Sequence, residues 1–260
     1  MNVITKTVTL LATPSLRFDP VNEICSNAPS FQITQASITN GLAGTGVFTG
    51  PGVNSSGLFD PNGAGAGLHT IRYTFTGANT CSNYIEQTIR VNPTPVAMAG
   101  PDKVVLEGGQ VQLTPALNAG FPVTYTWTPP AGLNNPNAPD PIASPADDIT
   151  YTMKVTSDKG CTTSDQVFVK VLKKPAIPNI FSPNGDGIHD KWVIGFLDTY
   201  PGCTVEIFNA YGQRIYYSIG YSTPWDGTIN GKPVPVGTYY YIVDPKNGRQ
   251  KMTGYVDVVR

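Results

Sequence analysis

The sequence predicts an all-β chain of tandem immunoglobulin-like β-sandwich domains, on three observations. Glycine and proline are abundant, at 27 and 24 of 260 residues, while charged residues make up 13%, about half the usual share. Apolar and polar residues alternate over short runs, the period-two pattern of half-buried strands. Between the runs lie clusters such as Gly50-Pro51-Gly52, Pro61-Asn62-Gly63 and Asn134-Asn135-Pro136, whose residue types favour turns.

An internal repeat organises the first two thirds. Setting Cys81 over Cys161, an offset of 80 residues, also places Phe31-Gln32-Ile33 on Val111-Gln112-Leu113 and Ile89-Arg90-Val91 on Val169-Lys170-Val171. A shared register at both ends of a segment marks duplicated supersecondary units. Each copy closes on a strand followed by a proline-bearing connection, Val91 to Pro95 and Lys173 to Pro178, which reads as a short, stiff linker. The organisation predicted is therefore a closing strand of an upstream module at 1–14, sandwiches at 15–93 and 94–174, and a third sandwich at 175–260. Ile4 to Leu10 supplies that first closing strand.

The two copies resemble the PKD-like and immunoglobulin-like modules found in tandem in large bacterial surface proteins. Tyr151 to Cys161, reading Tyr-Thr-Met-Lys-Val-Thr-Ser-Asp-Lys-Gly-Cys, carries much of that likeness. The resemblance implies a spacer or adhesive stalk.

Four cysteines are too few for a disulfide scaffold and lack the C-x-x-C spacing of zinc thiolates. Within the first copy, Cys25 and Cys81 are expected to bond, closing a long loop whose constraint on the unfolded chain is worth ~4 kcal/mol. Two free thiols are the alternative. The second copy has Val105 where the first has Cys25, so Cys161 and Cys203 are expected to stay unbridged.

The texture changes at Ile177. Ser182-Pro183-Asn184-Gly185-Asp186-Gly187-Ile188-His189-Asp190 admits two readings. Asn184, Asp186 and Asp190 present oxygens around a sharp turn, as a calcium loop does, although no Asp opens the loop and no acidic residue closes it at the twelfth position. The same residues also suit an Asx-rich turn whose carboxylates accept backbone N–H groups.

Farther on, Val205 to Asn209 and Arg214 to Tyr217 flank Ala210-Tyr211-Gly212-Gln213 as a hairpin, and Tyr239 to Val243 and Met252 to Val259 form the last one. Neighbouring tyrosines on a strand point to opposite faces, so about half of Tyr239 to Tyr241 belong to a core.

Phe181-Ser-Pro-Asn-Gly-Asp-Gly, Asp190, Ile207-Phe-Asn with Tyr211-Gly212, Trp225-Asp-Gly227 and Pro235-Val-Gly-Thr-Tyr-Tyr240 together resemble the gliding-motility-associated C-terminal domain, the type B sorting domain of the type IX secretion system. The likeness spans residues 177–260. It implies export to the cell surface or medium through the periplasm, with an outer-membrane PorP/SprF-type protein and the type IX machinery as partners. The surface expected to meet them comprises Phe181 and Trp225 with Tyr255, Val256 and Val258, the terminal strand offering a free edge for β-augmentation. A glycan ligand held by exposed aromatics is the alternative.

A net charge of -1 gives no footprint for nucleic acid or an anionic membrane. Two histidines on separate modules and four scattered glutamates assemble neither a Ser-His-Asp triad nor a glycosidase carboxylate pair. The sequence thus reads as a binding and sorting protein, not an enzyme.

Overall fold

The structure, a computed structural model, describes residues 6–7, 10–118 and 120–260. The closing strand expected within residues 1–14 falls largely outside them. Nearly all of the regular secondary structure is strand, with a single four-residue helix at Pro61–Ala64 and a short 3-10 turn at Leu197–Thr199 among the described residues. It divides into two compact units, one of Met1–Met98, Ala116–Thr126 and Met153–Asp165, the other of Ala99–Pro115, Trp127–Thr152 and Gln166–Arg260.

In the first repeat Ile24–Cys25 (β1), Gly44–Thr49 (β2), Gly67–Gly77 (β3) and Ser82–Asn92 (β4) form one sheet in the order β1-β4-β3-β2. Strands β3 and β4 pair antiparallel from Gly67↔Val91 to Thr76↔Ser82, and β1 joins parallel, with Cys25 opposite Asn92. Alternation turns Ile71, Ile89 and Val91 inward against Phe18, Phe48 and Phe59, the inner face of a sandwich.

The second repeat uses Lys103–Leu106 (β5), Val123–Thr128 (β6), Ile149–Ser157 (β7) and Thr162–Leu172 (β8), in the order β5-β8-β7-β6. The 80-residue offset survives as geometry. Leu16–Phe18 pairs with Ala36–Ile38, and Val96–Met98 with Ala116–Asn118, in the same register.

The C-terminal sandwich is built on Ile180–Phe181 (β9), Thr204–Phe208 (β10), Arg214–Ile219 (β11), Gly237–Asp244 (β12) and Met252–Val258 (β13), in the order β9-β13-β12-β10-β11. Its core gathers Trp192, Leu197, Tyr200, Val205, Ile207 and Trp225 with residues of β12 and β13.

Two expectations are corrected here. Cys25 is bonded to Cys161, not to Cys81, across a Cα–Cα distance of 5.5 Å, and Cys81 and Cys203 are free. Cys25 sits beside the last residue of β4, whereas Cys81 immediately precedes the first. Eleven residues of strand hold them roughly 30 Å apart, far beyond the ~7 Å a disulfide spans. The offset that aligned Cys81 with Cys161 puts Cys161 in the turn before β8, and that turn meets the end of β4. There Asn27 Nδ2 donates to the Thr162 carbonyl at 3.0 Å, and Cys161 Sγ lies 4.0 Å from the Asn92 carbonyl.

The terminal strand is a free edge only in part. β13 pairs antiparallel with β12 along its length and parallel with β9 at Asp257 and Val258. The edges of that sheet are β9 and β11.

Candidate functional site

The C-terminal sandwich carries the motifs singled out above, and each resolves into a local physical task. Gly185 and Gly187 adopt left-handed φ of +83° and +88°, a region glycine enters freely. The resulting turn aims two amides at one carboxylate. Asp190 Oδ1 accepts from Gly185 N at 2.6 Å and Oδ2 from Gly187 N at 2.8 Å. Asp186 Oδ1 accepts from Ile188 N, Asn184 Oδ1 accepts from Asp186 N, and Asn184 Nδ2 donates to Asp186 Oδ2. The two amides, from Gly185 first and Gly187 second, hold the Asp190 carboxyl below the usual carboxylate range.

This donor set is engaged within the loop. Both oxygens of Asp190 already face positive N–H dipoles, and both oxygens of Asp186 accept hydrogen bonds within the loop. Among the described residues no three His, Cys, Asp or Glu side chains converge as a metal cluster would. The loop Asn184, Asp186 and Asp190 build is the Asx-rich turn, and no step is derived through a metal.

The Trp225-Asp226-Gly227 motif closes the core beside that loop. Trp192 N donates to the Trp225 carbonyl at 2.8 Å, and Tyr221 accepts from Trp225 N while donating to the Trp192 carbonyl at 2.7 Å. Burial pushes the Tyr221 hydroxyl pKa up. The rings of Phe181 and Trp225 lie 5.3 Å apart. Gly227, at φ +73°, leaves the space where a Cβ would come within 2.8 Å of Pro183.

Those positions correct the expected contact surface. Phe181 is 3% exposed, Trp225 1%, and Val256 and Val258 are fully buried. Side chains so buried offer little area to a partner, although Phe181 lines a pocket of about 760 Å³ with Ile180, His189 and Lys191, and strand alternation is what turns Val256 and Val258 inward. Tyr255 alone of that set faces outward, at 48% exposure.

Its neighbours complete a surface. Phe208 lies opposite Tyr240, and Tyr240 opposite Tyr255, so the three form one cross-strand row on the outer face of β10, β12 and β13. Tyr240 is 51% exposed, and Tyr217 and Ile219 of β11 are exposed as well. The row lines a shallow groove of about 610 Å³ with Asn209 and Thr253. Arg214 stands beside it, 4.9 Å from the Tyr217 ring centroid and ion-paired with Glu206 at 2.9 Å. Tyr239 and Tyr241 point the other way, toward Trp225 and Trp192. Period two foretells that split, but not which tyrosines take which face, because register is settled by pairing.

No helix of the described residues is long and apolar enough to cross a membrane. No curated protein matches the chain. Among solved structures, the chain is similar to Sidekick-1 immunoglobulin domains 1-4, at TM-score 0.34 and 11% identity over 95% of this chain and 76% of that one. It is similar to human CDH23 EC21-23 at TM-score 0.30 and 9% identity, over 95% and 100%. It is similar to the Bacteroides ovatus mixed-linkage glucan utilization locus protein SGBP-B at TM-score 0.25 and 15% identity, over 96% and 71%; that protein was solved with a mixed-linkage heptasaccharide. Family comparison assigns the last sandwich: residues 175–258 match the CHU_C type IX secretion signal domain.

Proposed function

We propose that residues 175–260 form a folded export signal read by an outer-membrane PorP/SprF-type protein of the type IX secretion machinery. The modules at 15–93 and 94–174 are the spacers of a surface-displayed adhesin-like protein. The match of residues 175–258 to a type IX secretion signal domain carries the reading. The outward tyrosine row of this sandwich supports it, since exposed aromatics beside an arginine are the composition of protein contact sites. Recognition rather than reaction is the mechanism: the folded surface is matched by the partner, and no bond is made or broken.

The test is fusion of residues 175–260 to a periplasmic reporter in a Bacteroidota cell. Surface display of the reporter, lost when Tyr240 and Tyr255 are replaced by Ala, is the expected outcome. A reporter retained in the periplasm with the fused domain folded overturns the reading. Glycan binding by the same tyrosine face is the second reading, favoured by its exposed rings. It calls for saturable oligosaccharide binding by the intact chain.

A further inference from the structure

We propose that the Cys25–Cys161 disulfide is a tension strap: it carries a pull along the chain past the two repeats, so that residues 26–160 are shielded from it. The inference rests on the spacer reading of the modules at 15–93 and 94–174, since an element that connects other domains transmits the force between them. The bond joins one repeat to the next across a sequence separation of 136 residues. A covalent bridge between two points of a stretched chain is the shortest path between them, and the loop it closes goes slack.

The positions of the two cysteines make the bypass nearly complete. Cys25 ends β1, which precedes β2, β3 and β4 in the first repeat. Cys161 immediately precedes β8, the last strand of the second repeat, which ends at Leu172 beside the connection Lys173 to Pro178. The closed loop therefore contains β2, β3 and β4 of one sandwich and β5, β6 and β7 of the other. What stays under tension is the entry up to Cys25 and β8 itself. β8 is eleven residues of strand, already extended at ~3.3 Å per residue, so a pull along its axis draws almost no further length from it.

The junction is held on both sides of the bond. Ser26 N donates to the Asn92 carbonyl at 2.9 Å, and Asn92 Nδ2 donates to Glu23 Oε2 at 3.0 Å. Cys161 N donates to Ser157 Oγ at 3.1 Å, and Asn27 Nδ2 donates to the Thr162 carbonyl at 3.0 Å. Asn92 and Ser157 are buried, and Cys161 is 1% exposed. One sulfur of the bridge is thus covered against a dissolved thiol, which must reach a disulfide sulfur to break the bond. The direct connection between the repeats, Val91 to Pro95, is fastened by hydrogen bonds of the Thr94 hydroxyl with Ser26 and Asn27. Water competes for such contacts, and with the strap in place they bear no load.

The experiment stretches single molecules of the full chain between terminal peptide tags in an optical trap, before and after reduction with dithiothreitol. The sandwich at 175–260 lies outside the strap, and its unfolding step, roughly 300 Å of chain, marks each trace as one intact molecule. Unreduced, the segment ahead of Cys25 should add less than about 100 Å, with no long step from the repeats. After reduction, and in Cys161→Ser, the 136-residue separation should release a further length of about 450–490 Å. Release of that length by the unreduced chain overturns the proposal. So does an unchanged trace from a sample in which Cys25 and Cys161 are both alkylated after reduction. The reduced parent folds before its bond is broken, so it decides the question even if Cys161→Ser fails to fold. The export fusion of residues 175–260 contains neither repeat, so failure of the export reading and failure of the strap are separate results.

Discussion

Gly254 stands opposite Tyr241 across β12 and β13, and a Cβ built on Gly254 would lie 2.6 Å from the Tyr241 hydroxyl. The missing side chain lets that ring lie across the neighbouring strand and pack on Trp192, 5.2 Å between centroids. Gly254→Ala should destabilise the C-terminal sandwich by about 1–3 kcal/mol, the usual cost of overpacking. Denaturant unfolding checks it. Combining the change with Tyr241→Ala should cost less than the sum of the two single changes.

Loss of the inter-repeat bond should be felt where it sits. Cys161→Ser, or reduction, frees Cys25 and removes a constraint spanning 136 residues of chain. The expected loss is about 2–4 kcal/mol in the unit containing both cysteines. Calorimetry should show that transition falling while the transition of the C-terminal sandwich holds, and thiol titration of the unfolded chain should find Cys25 newly reactive.

The Asp190 turn should be acid-sensitive and metal-independent. Its carboxyl pKa is depressed in the folded chain by the Gly185 and Gly187 amides. The stabilisation is therefore complete above the unfolded value near 3.9 and lost as pH falls through the lower folded value. Asp190→Asn should lower the melting temperature at pH 7, and the gap from the parent should narrow as pH falls below about 4. A chelator should leave the melting temperature unchanged; a clear drop would restore the calcium reading.

Core and surface aromatics should separate in export assays. Trp225→Ala empties a fully enclosed site and should cost about 3–5 kcal/mol, abolishing display by unfolding. Tyr240→Ala with Tyr255→Ala should lower stability by no more than about 1 kcal/mol, as two half-exposed positions do, yet reduce display. Surface protease accessibility and circular dichroism of the same variants distinguish the two causes.

Much of this was legible in the residues themselves. Local rules place the strands, because period-two alternation and turn chemistry act over a few residues. Phe31-Gln32 and Val111-Gln112 share their offset because each copy folds by the same short-range code. The Asp186-Gly187-Ile188-His189-Asp190 turn could be read as an Asx turn on the same grounds.

Only the tertiary structure decided which cysteines meet, which tyrosines face out and which strand is an edge. Cys25 and Cys81 look like partners within one module until an eleven-residue strand is seen to part them. Val256, Val258 and Trp225 look available until the sheet closes over them. β13 is the last strand described, yet its end at Asp257 and Val258 is covered because β9, some 75 residues earlier, inserts beside it. These outcomes depend on long-range pairing, and the sequence at either partner carries no mark of the other.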